Sequence, residues 1–289
     1  MTVKTTISRI CKSLLLVEKI SIIYACLTAL YIIILGAKEN NAIAMILFRA
    51  LFIALMFFLR YLNNKYSASP LIWLARNLFP LVLITYWYPE TYYINENIFC
   101  NLDRFFVAAD QWLFGCQPSL EFSKCCNQQW VSELMYFGYI SYFVIITATV
   151  FISLARGKEC MQRSVFLILC SFLIYYTTFI IFPVSGPQFY FSPPDNLLDC
   201  TGFFRNLMIA IQDLGEKPTG AFPSSHVGIC CICMYILFKH SRKVFYTLAP
   251  VAIVLICSTV YIKAHYLIDV IGGFVSAPFY FWISSKIYK

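Results

Sequence analysis

Charge is scarce in this chain. Of 289 residues only 12% are charged, whereas 60% are hydrophobic and 18% aromatic. Soluble domains carry about twice that share of charge. Too little polar surface is available to cover this much apolar material, which excludes an ordinary soluble globule. The same apolar content excludes a disordered chain. The formal net charge of +8 does not mark a nucleic-acid binder. Its basic residues are divided by long apolar runs instead of gathering on one face. Metal-ligand patterns are missing too: no CxxC pair is followed by a matching pair or by spaced histidines, so no zinc site is expected. No internal repeat and no low-complexity tract is present.

What the chain has is continuous apolar runs. A helix needs about 20 mostly apolar residues to cross a bilayer. Eight candidates stand out: 18–35, 43–62, 71–88, 131–154, 164–182, 226–238, 245–262 and 267–285. The third is interrupted by Pro80 and the sixth is short, so six to eight crossings are expected. The runs lack the alternation of barrel strands. The expected fold class is therefore all-α, a polytopic integral membrane helical bundle. The expected division is N-terminal transmembrane helices over 1–70 and a catalytic membrane domain over 71–289. With a cytoplasmic amino terminus, 15 of the 22 basic residues fall on the inner side, which predicts that both termini are cytoplasmic. The first apolar run follows a basic stretch but no small-residue cleavage site follows it, so a retained helix is expected and not a signal peptide.

Two long outer segments, 89–130 and 183–225, are rich in proline, aromatic and polar residues. The inner connections are short and basic. A site is therefore expected on the extracytoplasmic (periplasmic or luminal) face. Of the 13 cysteines, Cys100, Cys116, Cys125, Cys126 and Cys200 fall on that side. Pairing among them is open, and an odd number leaves at least one free.

Only three histidines occur in the whole chain. His240 sits in an inner basic cluster, where a solvated, headgroup-facing role fits it. His226 lies in Gly220-Ala221-Phe222-Pro223-Ser224-Ser225-His226-Val227-Gly228. Here Ser224 or Ser225 can cap the helix that follows, and the first-turn N–H groups form a site suited to phosphate. His265 lies in Ser258-Thr259-Val260-Tyr261-Ile262-Lys263-Ala264-His265-Tyr266-Leu267-Ile268-Asp269. The spacing of His265 and Asp269 predicts a shared helical face, with Asp269 accepting a hydrogen bond from one imidazole nitrogen and leaving the other free to attack. Both segments fall at the outer ends of their helices.

Pro223-Ser224-Ser225-His226 and Ser258…His265…Asp269 resemble the second and third signatures of the type 2 phosphatidic acid phosphatase superfamily. The resemblance implies a phosphatidic acid phosphatase/haloperoxidase-like helical core, with lipid phosphatase or phosphotransferase activity and no metal or other cofactor. Carried over residue by residue, it makes His265 the nucleophile that forms a phosphohistidine. Asp269 becomes its orienting group and His226 the acid that protonates the leaving group. Ser224, Ser225, Lys263, Lys217 and Pro187 are the candidate substrate-binding residues.

The departures narrow the reading. Where phosphatases of this family carry arginine after the serine of the third signature, this chain has Thr259. The first-signature region reads Phe182-Pro183-Val184-Ser185-Gly186-Pro187-Gln188, without lysine or arginine. Fewer cations penalise a dianionic monoester more than a monoanionic diester. The pattern resembles the inositol phosphorylceramide synthase branch, whose second signature reads Phe-Pro-Ser-x-His and whose third lacks the arginine. That implies transfer of a phosphorylated, inositol phosphate-like head group from a phospholipid donor to a lipid alcohol such as ceramide. A lipid phosphate phosphatase using water, with a phosphatidic acid-like or polyprenyl phosphate substrate, is the alternative. An inactive lipid-binding or scaffold relative is a remote one. The membrane and its lipids are the expected partners; no nucleic acid is expected, and no obligate protein partner is evident. Outside these motifs, Arg49 is expected to snorkel or to pair with a loop carboxylate. Glu133 reads as a helix-start acid, and Tyr86-Trp87-Tyr88 and Tyr92-Tyr93 read as an interfacial aromatic belt.

Overall fold

A computed structural model describes residues 14–66, 69–195, 198 and 201–289. All regular structure among them is helical. We number the helices in chain order: α1 Leu16–Leu35, α2 Ala42–Lys65, α3 Pro70–Val82, α4 Ile84–Ile94, α5 Asp103–Phe114, α6 Pro118–Cys125, α7 Gln129–Ala155, α8 Lys158–Ile181, α9 Pro187–Tyr190, α10 Phe203–Asp213, α11 Ser225–His240, α12 Arg242–Tyr261 and α13 Leu267–Tyr288. Seven stretches are long and apolar enough to cross a membrane, with α3 and α4 together forming one of them; α11 is a shorter apolar helix. Seven of the eight apolar runs read in the sequence each overlap one helix, and the third spans α3 and α4. The interruption in the third lies at Leu83, between Pro80 and Pro89. Each of these prolines removes a helical N–H and crowds the carbonyl four residues earlier.

α8 is the axis of the bundle and packs against α1, α3, α4, α7, α11 and α13. Its run from Val165 to Leu169 is buried on every side, which explains why it lacks amphipathic periodicity. α1 and α2 turn Ile33, Ile34, Ile43, Leu47 and Leu51 outward, as lipid-facing helices do. The long segments 89–130 and 183–225 are not open loops. They fold into α5 and α6, and into α9 and α10, above the same end of the bundle.

Two buried ion pairs join the first helices to α3 and α4. Arg49 grips Glu90 with both terminal nitrogens, at 2.7 and 2.8 Å. The partner does come from the outer segment read as a loop, but that part of it is helical, in α4, and the buried guanidinium does not snorkel. Arg76 pairs with Glu18 at 2.5 and 2.8 Å. Trp87 is 1% exposed and meets Tyr24, Phe48 and Phe52 edge-on. The aromatic belt expected there is therefore corrected at this position: Trp87 is core, because it shields the Arg49–Glu90 pair. His240 is not a free headgroup-facing side chain. Its ring contacts Ser153 and Cys160, and Arg156 donates to its carbonyl. Among the described residues every cysteine is free; Cys200 lies outside them.

Candidate active site

Close helix packing brings the two histidine segments together. At Gly272 and Gly273, α13 crosses the start of α11. A Cβ at Gly273 would stand 2.7 Å from the Ser224 carbonyl oxygen, and one at Gly272 would stand 2.6 Å from the Phe222 ring. Ser224 N–H then donates to the Asp269 carbonyl at 3.0 Å.

Ser224 is the N-cap of α11, its hydroxyl accepting from Val227 N–H at 3.4 Å. Ser225 and His226 form the first turn, and their backbone N–H groups carry no bond among the described residues. His226 is held between the rings of Tyr139 and Tyr142, with both centroids 4.5 Å away.

His265 lies in the turn between α12 and α13, not on a helix. Its N–H donates to the Thr259 carbonyl at 3.0 Å. Its Nδ1 lies 2.8 Å from the Ala221 carbonyl oxygen. A carbonyl can only accept, so Nδ1 carries the hydrogen and Nε2 keeps its lone pair when the ring is neutral. Nε2 lies 3.4 Å from His226 Nδ1. Burial lowers the His265 pKa to about 4, so the ring is neutral near pH 7.

The shared helical face expected for His265 and Asp269 is corrected. α13 starts only at Leu267, and Asp269 occupies its third position. From there the carboxylate accepts from Tyr266 N–H at 2.8 Å, and its nearest approach to His265 Nδ1 is 3.7 Å. The acceptor bonded to His265 is the Ala221 carbonyl, with Asp269 as a buried charge just beyond.

Two carboxylates not singled out in the sequence hold the surrounding loops. Asp103 and Asp110 are seven apart, on one face of α5. Asp103 accepts from Ser185 N–H and Gly186 N–H, both at 2.9 Å, and from the Tyr266 hydroxyl at 3.0 Å. Asp110 accepts from Leu267 N–H and Ile268 N–H, both at 3.0 Å; burial raises its pKa. That spacing of two acids within the outer segment was the available signal.

The remaining candidates lie around this centre. Pro187 is buried at the first position of α9. Beside it, a Cβ on Gly186 would stand 2.7 Å from the Ala264 carbonyl, so this loop lies directly against the His265 turn. Lys263 is 3% exposed, and its ammonium donates to the Asp195 carbonyl at 2.7 Å. Burial lowers its pKa. Lys217 stands over the rings of Tyr92 and Tyr93, at 5.9 and 5.7 Å, and so lies outside the histidine pair. Glu133 accepts from Phe204 N–H and Arg205 N–H at 2.9 and 3.0 Å. It is a helix-start acid, but the helix start is that of α10.

A cavity of about 620 Å³ opens beside His226. Its walls are apolar, with Leu81, Phe143, Ile146, Phe172 and Met208 among them. Ser225, His226 and Glu216 are among its polar lining residues, and His265 meets His226 at 3.4 Å. Glu216, also unremarked in the sequence, accepts from Gln188 Nε2 at 2.5 Å. Burial raises its pKa.

Chemically, the arrangement offers a neutral imidazole nitrogen that keeps its lone pair, a second imidazole 3.4 Å from it, amides without a bond among the described residues, and an apolar cavity. The family model of the PAP2 superfamily matches residues 104–283, which is more than half of the chain and includes both histidine segments. Comparison with curated proteins and with solved structures gives no match.

Proposed function

The chain belongs to the PAP2 superfamily, and from that premise we propose that it moves a phospho-head group from a phospholipid to a lipid alcohol through His265. Family membership supports an enzyme acting on lipid phosphoesters. The observation that carries the finer reading is the Nδ1–H of His265 on the Ala221 carbonyl, which directs Nε2 at His226 beside an apolar cavity.

In this reading the lipid chains occupy the cavity and the phosphodiester lies against Ser225 and His226. His265 Nε2 attacks phosphorus, and His226 gives a proton to the departing diacylglycerol oxygen. In the second half His226 takes a proton from the acceptor hydroxyl, which displaces the head-group phosphate from Nε2. Two nitrogens 3.4 Å apart leave no room for a phosphoryl group between them, so substrate binding must part the rings. The amides of Ser225 and His226 supply donors for the phosphate oxygens, with the positive end of α11 behind them. Asp269 stabilises the imidazolium character that develops on His265.

The choice of a diester follows from the missing cations. Thr259 is buried and its hydroxyl donates to the Ile256 carbonyl. Gln188 donates to Glu216 instead of presenting a charge. Lys263 and Lys217 are engaged elsewhere. A dianionic monoester would meet one more uncompensated charge here than a monoanionic diester. An inositol phosphate-like head group and a ceramide-like acceptor are the members of that class favoured by the signature pattern. We also propose that this end of the bundle is extracytoplasmic with both termini cytoplasmic. The opposite end carries Arg156, Lys158, Arg163, Lys239, Arg242 and Lys243, which fits the positive-inside rule.

The test is a mass-spectrometric product assay on purified protein in mixed micelles. Donors are a panel of phospholipids and lipid phosphates, with and without ceramide, and His265→Ala is the blank. A head-grouped ceramide absent from the blank is the expected result. Free phosphate released from a monoester, indifferent to ceramide, would replace the transferase reading with the phosphatase.

A further inference from the structure

The family match begins at residue 104, yet the carbonyl that orients His265 is held from before that point. We infer that Tyr88, Thr91 and Asn95 on and just after α4 are positioning residues for the nucleophile, acting through Thr219 and the Ala221 carbonyl. This rests on the reading of His265 as the nucleophile.

The bonds form one continuous set. The Tyr88 hydroxyl donates to the Thr219 carbonyl at 3.0 Å. The Thr91 hydroxyl donates to the Tyr88 carbonyl at 2.7 Å. Its hydrogen is thereby spent, so at the 2.9 Å contact between the two threonine hydroxyls Thr219 must be the donor. Asn95 Nδ2 then donates to Thr219 Oγ1 at 3.2 Å. Asn95 Oδ1 in turn accepts from Lys38 Nζ at 2.9 Å. Thr91, Asn95 and Thr219 are all 2% exposed or less. Water cannot replace a partner in such a set, so the geometry is narrowly defined.

The set reaches His265 through two residues. Gly220 has φ +77°, and a Cβ there would stand 2.7 Å from the Tyr88 ring and 3.1 Å from Phe179. Ala221 N–H donates to the Val184 carbonyl at 3.0 Å. Thr219 and Val184 thus hold the backbone that leads into the Ala221 carbonyl, whose direction is toward His265 Nδ1 at 2.8 Å. That direction selects the tautomer whose Nε2 is free. Among the described residues the bond to the Ala221 carbonyl is the one hydrogen bond of Nδ1: Asp269 stands 3.7 Å from it and accepts from Tyr266 N–H.

The experiment compares the whole protein with Thr219→Val, Thr219→Ser and Tyr88→Phe in the same micelles. It has two readouts: kcat and KM for head-group transfer, and the nitrogen-15 signals of His265 in histidine-labelled protein, assigned with His265→Ala. Partners that orient a metal-bound imidazole are worth roughly 10- to 100-fold, and a comparable fall in kcat with little change in KM is expected for Thr219→Val. Its His265 signals should move from the Nδ1–H form toward a mixture. Thr219→Ser, which keeps the hydroxyl, should restore both. Tyr88→Phe removes a single hydroxyl bond and should shift both readouts in the same direction by less; it decides the matter if Thr219→Val does not fold. Unchanged kcat and an unchanged Nδ1–H form in the folded variants would overturn the inference. If the unmodified protein transfers no head group while the tautomer shifts as described, the positioning stands and the proposed reaction fails.

Discussion

Two helix starts meet at the site, and they are finished differently. At α13 the amides of Tyr266, Leu267 and Ile268 are filled by the carboxylates of Asp269 and Asp110. At α11 the Ser224 hydroxyl takes only Val227 N–H, and the two amides before it remain available beside the cavity. A filled helix start holds the His265 turn in place, whereas an unfilled one can receive an anion. The motif serines alone do not reveal this division, since a serine and a helix end occur near both histidines.

The comparison can be broken most severely where the two helices touch. Gly273→Ala inserts a Cβ 2.7 Å from the Ser224 carbonyl. It should lower stability by about 1–3 kcal/mol, and should reduce transfer more than the stability loss explains, because it parts His226 from His265. A thermal midpoint measured alongside kcat on the same preparation checks this; normal activity would show that the crossing is not needed at this spacing.

The two caps should then separate. Asp110→Asn keeps one acceptor for two amides and should cost about 1–3 kcal/mol, with the loss appearing in stability and in the placement of His265. Ser224→Ala removes an N-cap and should cost about 1 kcal/mol. Its larger effect should be on KM for the anionic donor, since it loosens the turn that offers the free amides. Thermal scans and Michaelis curves for both variants distinguish the roles, and the comparison fails if the two profiles are interchangeable.

A separate effect is on pH dependence. His265 titrates near 4 in the folded protein, against an ordinary value of 6.5. Below pH 6.5 the unfolded chain therefore takes up a proton that the buried ring refuses. Stability falls as pH drops from about 6.5 toward 4, and this contribution is fully present above 6.5. His265→Asn should flatten that limb in a pH series of thermal midpoints at fixed scan rate.

Much of this was legible in the sequence and some was not. Apolar runs of helical length announced the spans, including the α3–α4 break near Pro80 and the short α11. The histidine segments announced themselves through proline, serine and aspartate beside helix starts. The acceptor for His265 was hidden because it is a backbone carbonyl, and spacing says nothing about which carbonyl a ring will meet. The spacing of His265 and Asp269 read as one helical face, but Asp269 serves the helix start that begins after His265. Asp103, Asp110 and Glu216 were hidden because their partners lie far away along the chain. Trp87 read as belt because its shielding of Arg49 and Glu90 depends on how α1, α2 and α4 assemble.

The most direct measurement is to trap the intermediate. The protein would be mixed with the phospholipid donor that proves active, without acceptor, quenched in alkali and digested for mass spectrometry. The account predicts the phospho-head group on Nε2 of His265, its loss in His265→Ala, and its discharge when ceramide is added before the quench. An adduct on Nδ1 or on another residue, or turnover with no adduct under conditions that preserve phosphohistidine, would contradict it.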